Sequence, residues 1–168
     1  MLYQMTVPQF VKMLKNLNSI LDKAVLNAES KKYDVEVLLN SRLAPDQFNL
    51  IRQVQIATDS AKMCMARVTG KNAPVWEDNE KTLAELKARI EKTVDYLNTF
   101  DPNEVNDFEQ IKISQPRWEG KYLFPLEYIT EYSIPNFYFH ITTAYSILRH
   151  NGIDIGKKND LWELPFKN

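Results

Sequence analysis

The chain has 168 residues, 44% of them hydrophobic and 26% charged, the proportions of one globular domain long enough to bury a core. Its 21 basic and 22 acidic residues leave a formal net charge of −1, too weak a field to recruit nucleic acid or an anionic membrane surface. The single cysteine, Cys64, excludes an internal disulfide and fits a reducing, cytoplasmic setting; no apolar run nears the ~18 residues of a membrane span, and no secretory pattern opens the chain.

The first helix is expected from Thr6, a capping residue with Pro8 in the first turn and Gln9 closing a capping box, to about Glu29. Phe10, Met13, Leu14, Leu17, Ile20, Leu21, Ala24 and Ala28 recur at three- and four-residue steps and mark its buried stripe. The connection that follows, with Val35, Val37, Leu38 and Leu39, has room for a short helical turn. Pro45-Asp46 opens a second helix that Gly70 ends, with Leu50, Val54, Ala57, Ala61, Met65 and Val68 on its main stripe. Ile56 and Met63 make its other side apolar too, which predicts a central helix or one covered by a partner subunit. Cys64, between two methionines of this run, reads as a buried structural thiol rather than a nucleophile.

The third helix spans roughly Asp78 to Asn98 on Leu83, Leu86, Ile90, Val94 and Leu97, with Glu85 and Arg89 as an i,i+4 pair on the wet side. From about Phe100 to Tyr132 the period breaks. Ile111-Lys112-Ile113 and Lys121-Tyr122-Leu123-Phe124 alternate around Pro116–Gly120 as a two-stranded excursion would. The last helix starts at Ser133 and Pro135, turns Phe137, Ile141, Ala144, Tyr145 and Leu148 inward, and stops at a left-handed cap, Asn151-Gly152. The tail, with Leu161, Trp162, Leu164 and Phe166, is expected to dock on a surface. The fold class is all-α: one domain over residues 1–168, a four-helix bundle with a long crossover connection (a small β-hairpin excursion) before the last helix.

Polar residues on buried stripes are where chemistry could reside. His140 lies about 60° from Phe137 at the 3.6-residue period, with Asn136 one turn earlier on the same face. That spacing lets two side chains converge on one ligand. The favoured reading of His140 is a half-buried imidazole hydrogen-bonded within the bundle; the other is a metal ligand. His150, near the helix C-terminus, belongs at the surface. Gln55 and Asp59 are one turn apart on the second helix, either as an interhelical polar network or as a pocket wall. Tyr128, Tyr132, Phe137, Tyr138, Phe139 and Tyr145 crowd the entry to the last helix and read as core before they read as a ligand cage.

Two segments carry a family resemblance. Pro45-Asp46-Gln47-Phe48 leading into Arg52-Gln53-Val54-Gln55-Ile56-Ala57-Thr58-Asp59, and Phe139-His140-Ile141-Thr142-Thr143-Ala144-Tyr145 leading to Leu148-Arg149-His150-Asn151-Gly152, resemble signatures of the DinB-like (YfiT-like) four-helix-bundle superfamily, in an uncharacterised domain-of-unknown-function branch. The resemblance implies a four-helix bundle, frequent homodimers, and a divalent metal held by one histidine from the second helix and an HxxxH pair from the last. On this chain the pair falls on Asn136 and His140, and the second-helix position near Gln53 or Gln55, with Gln55 the better match by its distance to Gly70. One imidazole and two amide oxygens are a poor donor set for zinc or nickel, so the expectation is an eroded site with no resident cofactor.

Two functions follow. The first is a small-ligand-binding or non-enzymatic homodimer whose pocket candidates are Gln55, Asp59, Asn136, His140 and Tyr145. The second is a divalent-metal-dependent transferase, isomerase or hydrolase using His140, Gln55 and Asn136 as ligands. The sequence does not decide whether the chain is an enzyme, and it points to no nucleic-acid or membrane partner.

Overall fold

Each of the four apolar periods becomes a helix in the computed structural model of the chain, which describes residues 1–106, 110–161, 164, 166 and 167, the side chains of 104, 106, 160 and 161 excepted. Helix α1 (Leu2–Lys31) is followed by a 3-10 turn (Val35–Asn40), α2 (Leu50–Val68) and α3 (Leu83–Leu97). A short α4 (Pro102–Asn106) leads to strands β1 (Ile113–Ser114) and β2 (Tyr122–Leu123). Helix α5 (Pro125–Glu127), a π-helical turn (Tyr128–Ser133) and α6 (Ile134–His150) then run on from one another, before α7 (Lys157–Leu161). No helix among the described residues is long and apolar enough to cross a membrane.

Every residue of the stripes expected on the first three helices is buried, as are Phe137, Ile141, Ala144 and Leu148 of α6; Tyr145 is only partly covered. Helix α2 packs against both α3 and α6, and α1 against α3, with lighter contacts to α2 and α6. Phe10 of α1 and Phe137 of α6 meet with ring centroids 4.6 Å apart, both fully buried. Burial of a side chain of that size is worth about 2–3 kcal/mol, so this pair fastens the outer helices across the core.

The helix starts differ from the sequence reading, each for a local reason. Helix α1 begins four residues before Thr6, because the extra turn buries Leu2. Thr6 does not cap: its hydroxyl donates back to the Leu2 and Tyr3 carbonyls at 2.8 and 3.2 Å. Helix α2 begins at Leu50, not Pro45, because Asn49 accepts the Arg52 N–H at 3.1 Å and outcompetes the proline turn as a cap. Helix α3 begins at Leu83, where Thr82 and Glu85 form a complete capping box.

The predicted two-stranded excursion is present: Ile113 pairs with Leu123 and Ser114 with Tyr122 in antiparallel register around the Pro116–Trp118 turn. The last helical rod starts earlier than Ser133. Pro135 has no N–H to offer the Glu131 carbonyl and its ring crowds that oxygen, so a regular α-turn there is blocked. The wide π-helical turn just before it absorbs the mismatch and keeps the rod unbroken. Gly152, at φ +84°, closes α6 with its N–H on the Arg149 carbonyl, as the sequence predicts. The tail docks in part. Ile153 and Ile155 are buried and α7 packs on α1, whereas Leu164 and Phe166 are exposed; Trp162 lies outside the described residues.

Candidate functional site

The seam between α2 and α6 gathers most of the candidate residues, and it divides them into three places. At one end His140, 6% exposed, approaches Gln53 with Nδ1 2.7 Å from Oε1. The amide of Gln53 is oriented by its own Nε2, which donates to the Phe48 carbonyl at 3.0 Å. Gln53 Oε1 is therefore the acceptor, Nδ1 carries the proton, and Nε2 is left as the lone-pair nitrogen. Burial, and then the nearby Arg52 guanidinium, push the His140 pKa down to about 4, so the ring is neutral at physiological pH. The imidazole thus ties α6 to α2, as the favoured sequence reading has it.

On the second helix it is Gln53, not Gln55, that meets His140. Gln55, 3% exposed, faces the other way. It accepts from Arg52 at 3.2 Å and donates to Glu80 at 2.8 Å. Asn136 does not converge with His140 either, since its amide donates to the Ser60 hydroxyl at 2.7 Å. Among the described residues no three His, Cys, Asp or Glu side chains come together in a way that could hold a metal ion. The donor set His140, Gln53 and Asn136 does not fit the three-histidine metal that the superfamily resemblance implies: one imidazole nitrogen is already used, and the amides are neutral, hard and engaged elsewhere.

The second place is a charge network that sequence reasoning missed. Arg89 is not on the wet side of α3; its side chain is 2% exposed. It donates to Thr58 Oγ1 at 2.9 Å and to the Glu77 carbonyl at 3.0 Å. Its guanidinium also lies 2.9 Å from Glu80, 2.9 Å from Asp78 and 3.1 Å from Asp59. The contacts to Asp59 and Asp78, both through Nη2, are coulombic rather than directed hydrogen bonds, because Nη2 finds no good hydrogen-bond geometry. Burial alone lowers the Arg89 pKa, but the Glu80 hydrogen bond and the three carboxylates outweigh it, and the group stays charged. Lys62 adds an ion pair to Asp59 at 2.8 Å, and Arg52 pairs with Asp78. Glu85, the expected partner of Arg89, is spent on the capping box. The stretch before α3 is held down by these charges. Arg89 lies on the buried face of α3 with Leu86, Ile90 and Thr93.

The third place is a cleft of about 490 Å³ formed by α2, the hairpin tip, the π-helical turn and the start of α6. Ile56 and Met63 form its apolar wall, which accounts for the second apolar side of α2. Asp59, Ser60 and Asn136 also line it; Gln55, His140 and Tyr145 do not. Of the aromatic group, Phe137 is core as predicted, Phe139 is 57% exposed, and Tyr128 and Tyr132 join the cleft wall. The wide turn sets Tyr128 and Tyr132 side by side, stacked with centroids 5.4 Å apart at 27°. Below the cleft floor Cys64 is fully buried; burial pushes its thiol up to about 12, against smaller opposing pulls from the Ser133 hydroxyl and Arg67. It is a structural thiol.

A helical bundle with a hairpin-bearing crossover before its last helix, and a polar cleft where α2 meets α6, is the class of protein these observations define. The chain matches the family described as domain of unknown function (DUF1993) over residues 2–160. It is also similar over its whole length to a crystal structure of a DinB family member protein from Shewanella denitrificans, at 59% identity and a TM-score of 0.96, with 96% of that chain covered. No curated protein matches it. The chain belongs to the DinB-like proteins, in the DUF1993 family.

Proposed function

We propose that the chain is a small-ligand-binding bundle that works without a resident metal, as a homodimer in a reducing, cytoplasmic setting. The observation that carries the reading is the cleft between α2 and α6: about 490 Å³, within the range of small-molecule sites, with an apolar wall and a few convergent polar groups. The displacement of the family's metal positions supports it from the other side, since His140 and Asn136 are each engaged with a different α2 residue. Homodimers are frequent among superfamily members the sequence resembles, and the buried, unpaired Cys64 suits reducing conditions.

Metal analysis of protein purified without chelator, with thermal melts in added zinc or nickel, tests the first part. We expect less than about a tenth of an equivalent of any transition metal and no rise in melting temperature, because a ligand that binds only the folded state must stabilise it. A stoichiometric metal would defeat the proposal and favour the metal-dependent enzyme. Light scattering at micromolar concentration tests the dimer, which a strict monomer would end.

A further inference from the structure

The cleft holds more positive charge than its own carboxylate neutralises. Arg67 enters it from α2 and Arg117 from the hairpin tip, with Arg52 at the margin. Arg67 donates one N–H to the Tyr128 hydroxyl at 2.8 Å, and Arg117 donates one to the Tyr132 hydroxyl. Each guanidinium has five N–H donors, so both keep most of their fork available. Among the described residues neither has a carboxylate partner. The acid in the lining, Asp59, is already shared between Lys62 and Arg89. One further buried polar group of the lining, Gln115 Nε2, has no hydrogen-bond partner. Such a group is destabilising unless something answers it. Tyr128 and Tyr132, which hold the two guanidiniums, sit on the π-helical turn, a local distortion of the kind that recurs at functional sites.

Resting on the reading that this cleft is a ligand site, we propose that it takes a small organic anion, with Arg67 and Arg117 clamping its oxyanion head and Ile56 and Met63 covering an apolar body. Guanidinium forks match planar carboxylate and phosphate oxygens alike, and the head group is that shared chemistry. The confined volume and the overall charge of −1 favour a small molecule over a polyanion.

The test is a titration of the full chain, followed by NMR of cleft backbone amides and arginine side chains, with phenyl phosphate, benzoate and neutral benzamide in parallel. We expect at least one of the two anions to perturb Ser60, Arg67, Arg117 and Asn136 saturably, at least about tenfold more tightly than benzamide, since hydrogen bonds to charged groups are the stronger class. Which anion wins separates a phosphate from a carboxylate ligand. Arg117→Gln, on an exposed turn, should weaken the anion about tenfold, and Arg67→Lys should retain more binding than Arg67→Gln. If benzamide binds the cleft as tightly as the anions do, the anion assignment falls while the ligand site stands. If none of the three perturbs the cleft, both fall.

Discussion

Removal of Arg89 should be far more damaging than removal of an arginine on a solvated helix face. Arg89→Met keeps the length of the side chain and its helical preference but strips the charge from a site that is 2% exposed. Three carboxylates then lose their shared cation. Asp59 and Asp78 are each about a third exposed, at 34% and 36%, so water and salt screen much of their loss. Glu80, 10% exposed, keeps its Gln55 contact but is left uncompensated, and the Thr58 hydroxyl and Glu77 carbonyl each lose a donor. Breaking a buried ion pair costs about 3–5 kcal/mol, and after the screened partners are discounted about 3 kcal/mol remains. For a chain of this length that lowers the melting temperature by roughly 9 °C. Calorimetry or urea denaturation of Arg89→Met beside the parent measures it. A second variant, Arg89→Met with Glu80→Gln, should recover on the order of 1 kcal/mol, the coupling expected of residues in direct contact. A loss below about 1 kcal/mol for the single variant, with no recovery in the double, would refute the view that Arg89 is the hub of the network.

Stability should fall on mild acidification through His140. Its folded pKa of about 4 lies below the ordinary 6.5, so the unfolded chain binds the extra proton first as pH drops from 6.5 towards 4. The wild type should lose about 2 kcal/mol between pH 7 and 5, and His140→Gln should show a visibly flatter profile in denaturant titrations at the two pH values. Cys64 should resist thiol reagents in the native state. A thiol pushed up to about 12 from 9 has roughly a thousandfold less thiolate at pH 8, and it is shielded as well, so labelling should proceed only through unfolding and accelerate sharply in urea. Thr82→Ala should cost about 1 kcal/mol in chemical denaturation by removing half of the α3 capping box, with no effect on ligand titrations.

The helical stripes were legible because burial on a helix repeats every three or four residues, and the spacing of Phe10 through Ala28 or Leu50 through Val68 admits little else. The left-handed stop at Asn151-Gly152 was legible for a similar reason, since few residues other than glycine take φ near +84° at low cost. What could not be read is contact between distant segments. Arg89 looked wet because Glu85 offered a partner one turn away; its true partners lie on α2 and in the segment before α3, and period alone cannot bring those to it. The Thr82–Glu85 box was in plain sight and would have corrected both the helix start and the pairing. His140 was placed properly at the edge of the core, but no partner for it could be named, and Gln53 supplies it. Both glutamines are buried, and only the rotation of α2 against α6 decides which one faces the histidine. Arg67 and Arg117 gave no signal, because 50 residues separate them and each is unremarkable within its own element.

The wide turn at Tyr128–Ser133 fixes the phase of everything upstream of it. Each residue of an ordinary helix advances the chain by 100°, so shortening this turn by one position would swing Tyr128 and the hairpin roughly a quarter-turn around the rod. Trp118, which packs against both Tyr128 and Tyr132, would move with Tyr128 and be parted from Tyr132. One surplus residue therefore acts as an angular setting for the mouth of the protein, and single-residue deletions there should be felt far more keenly than point substitutions.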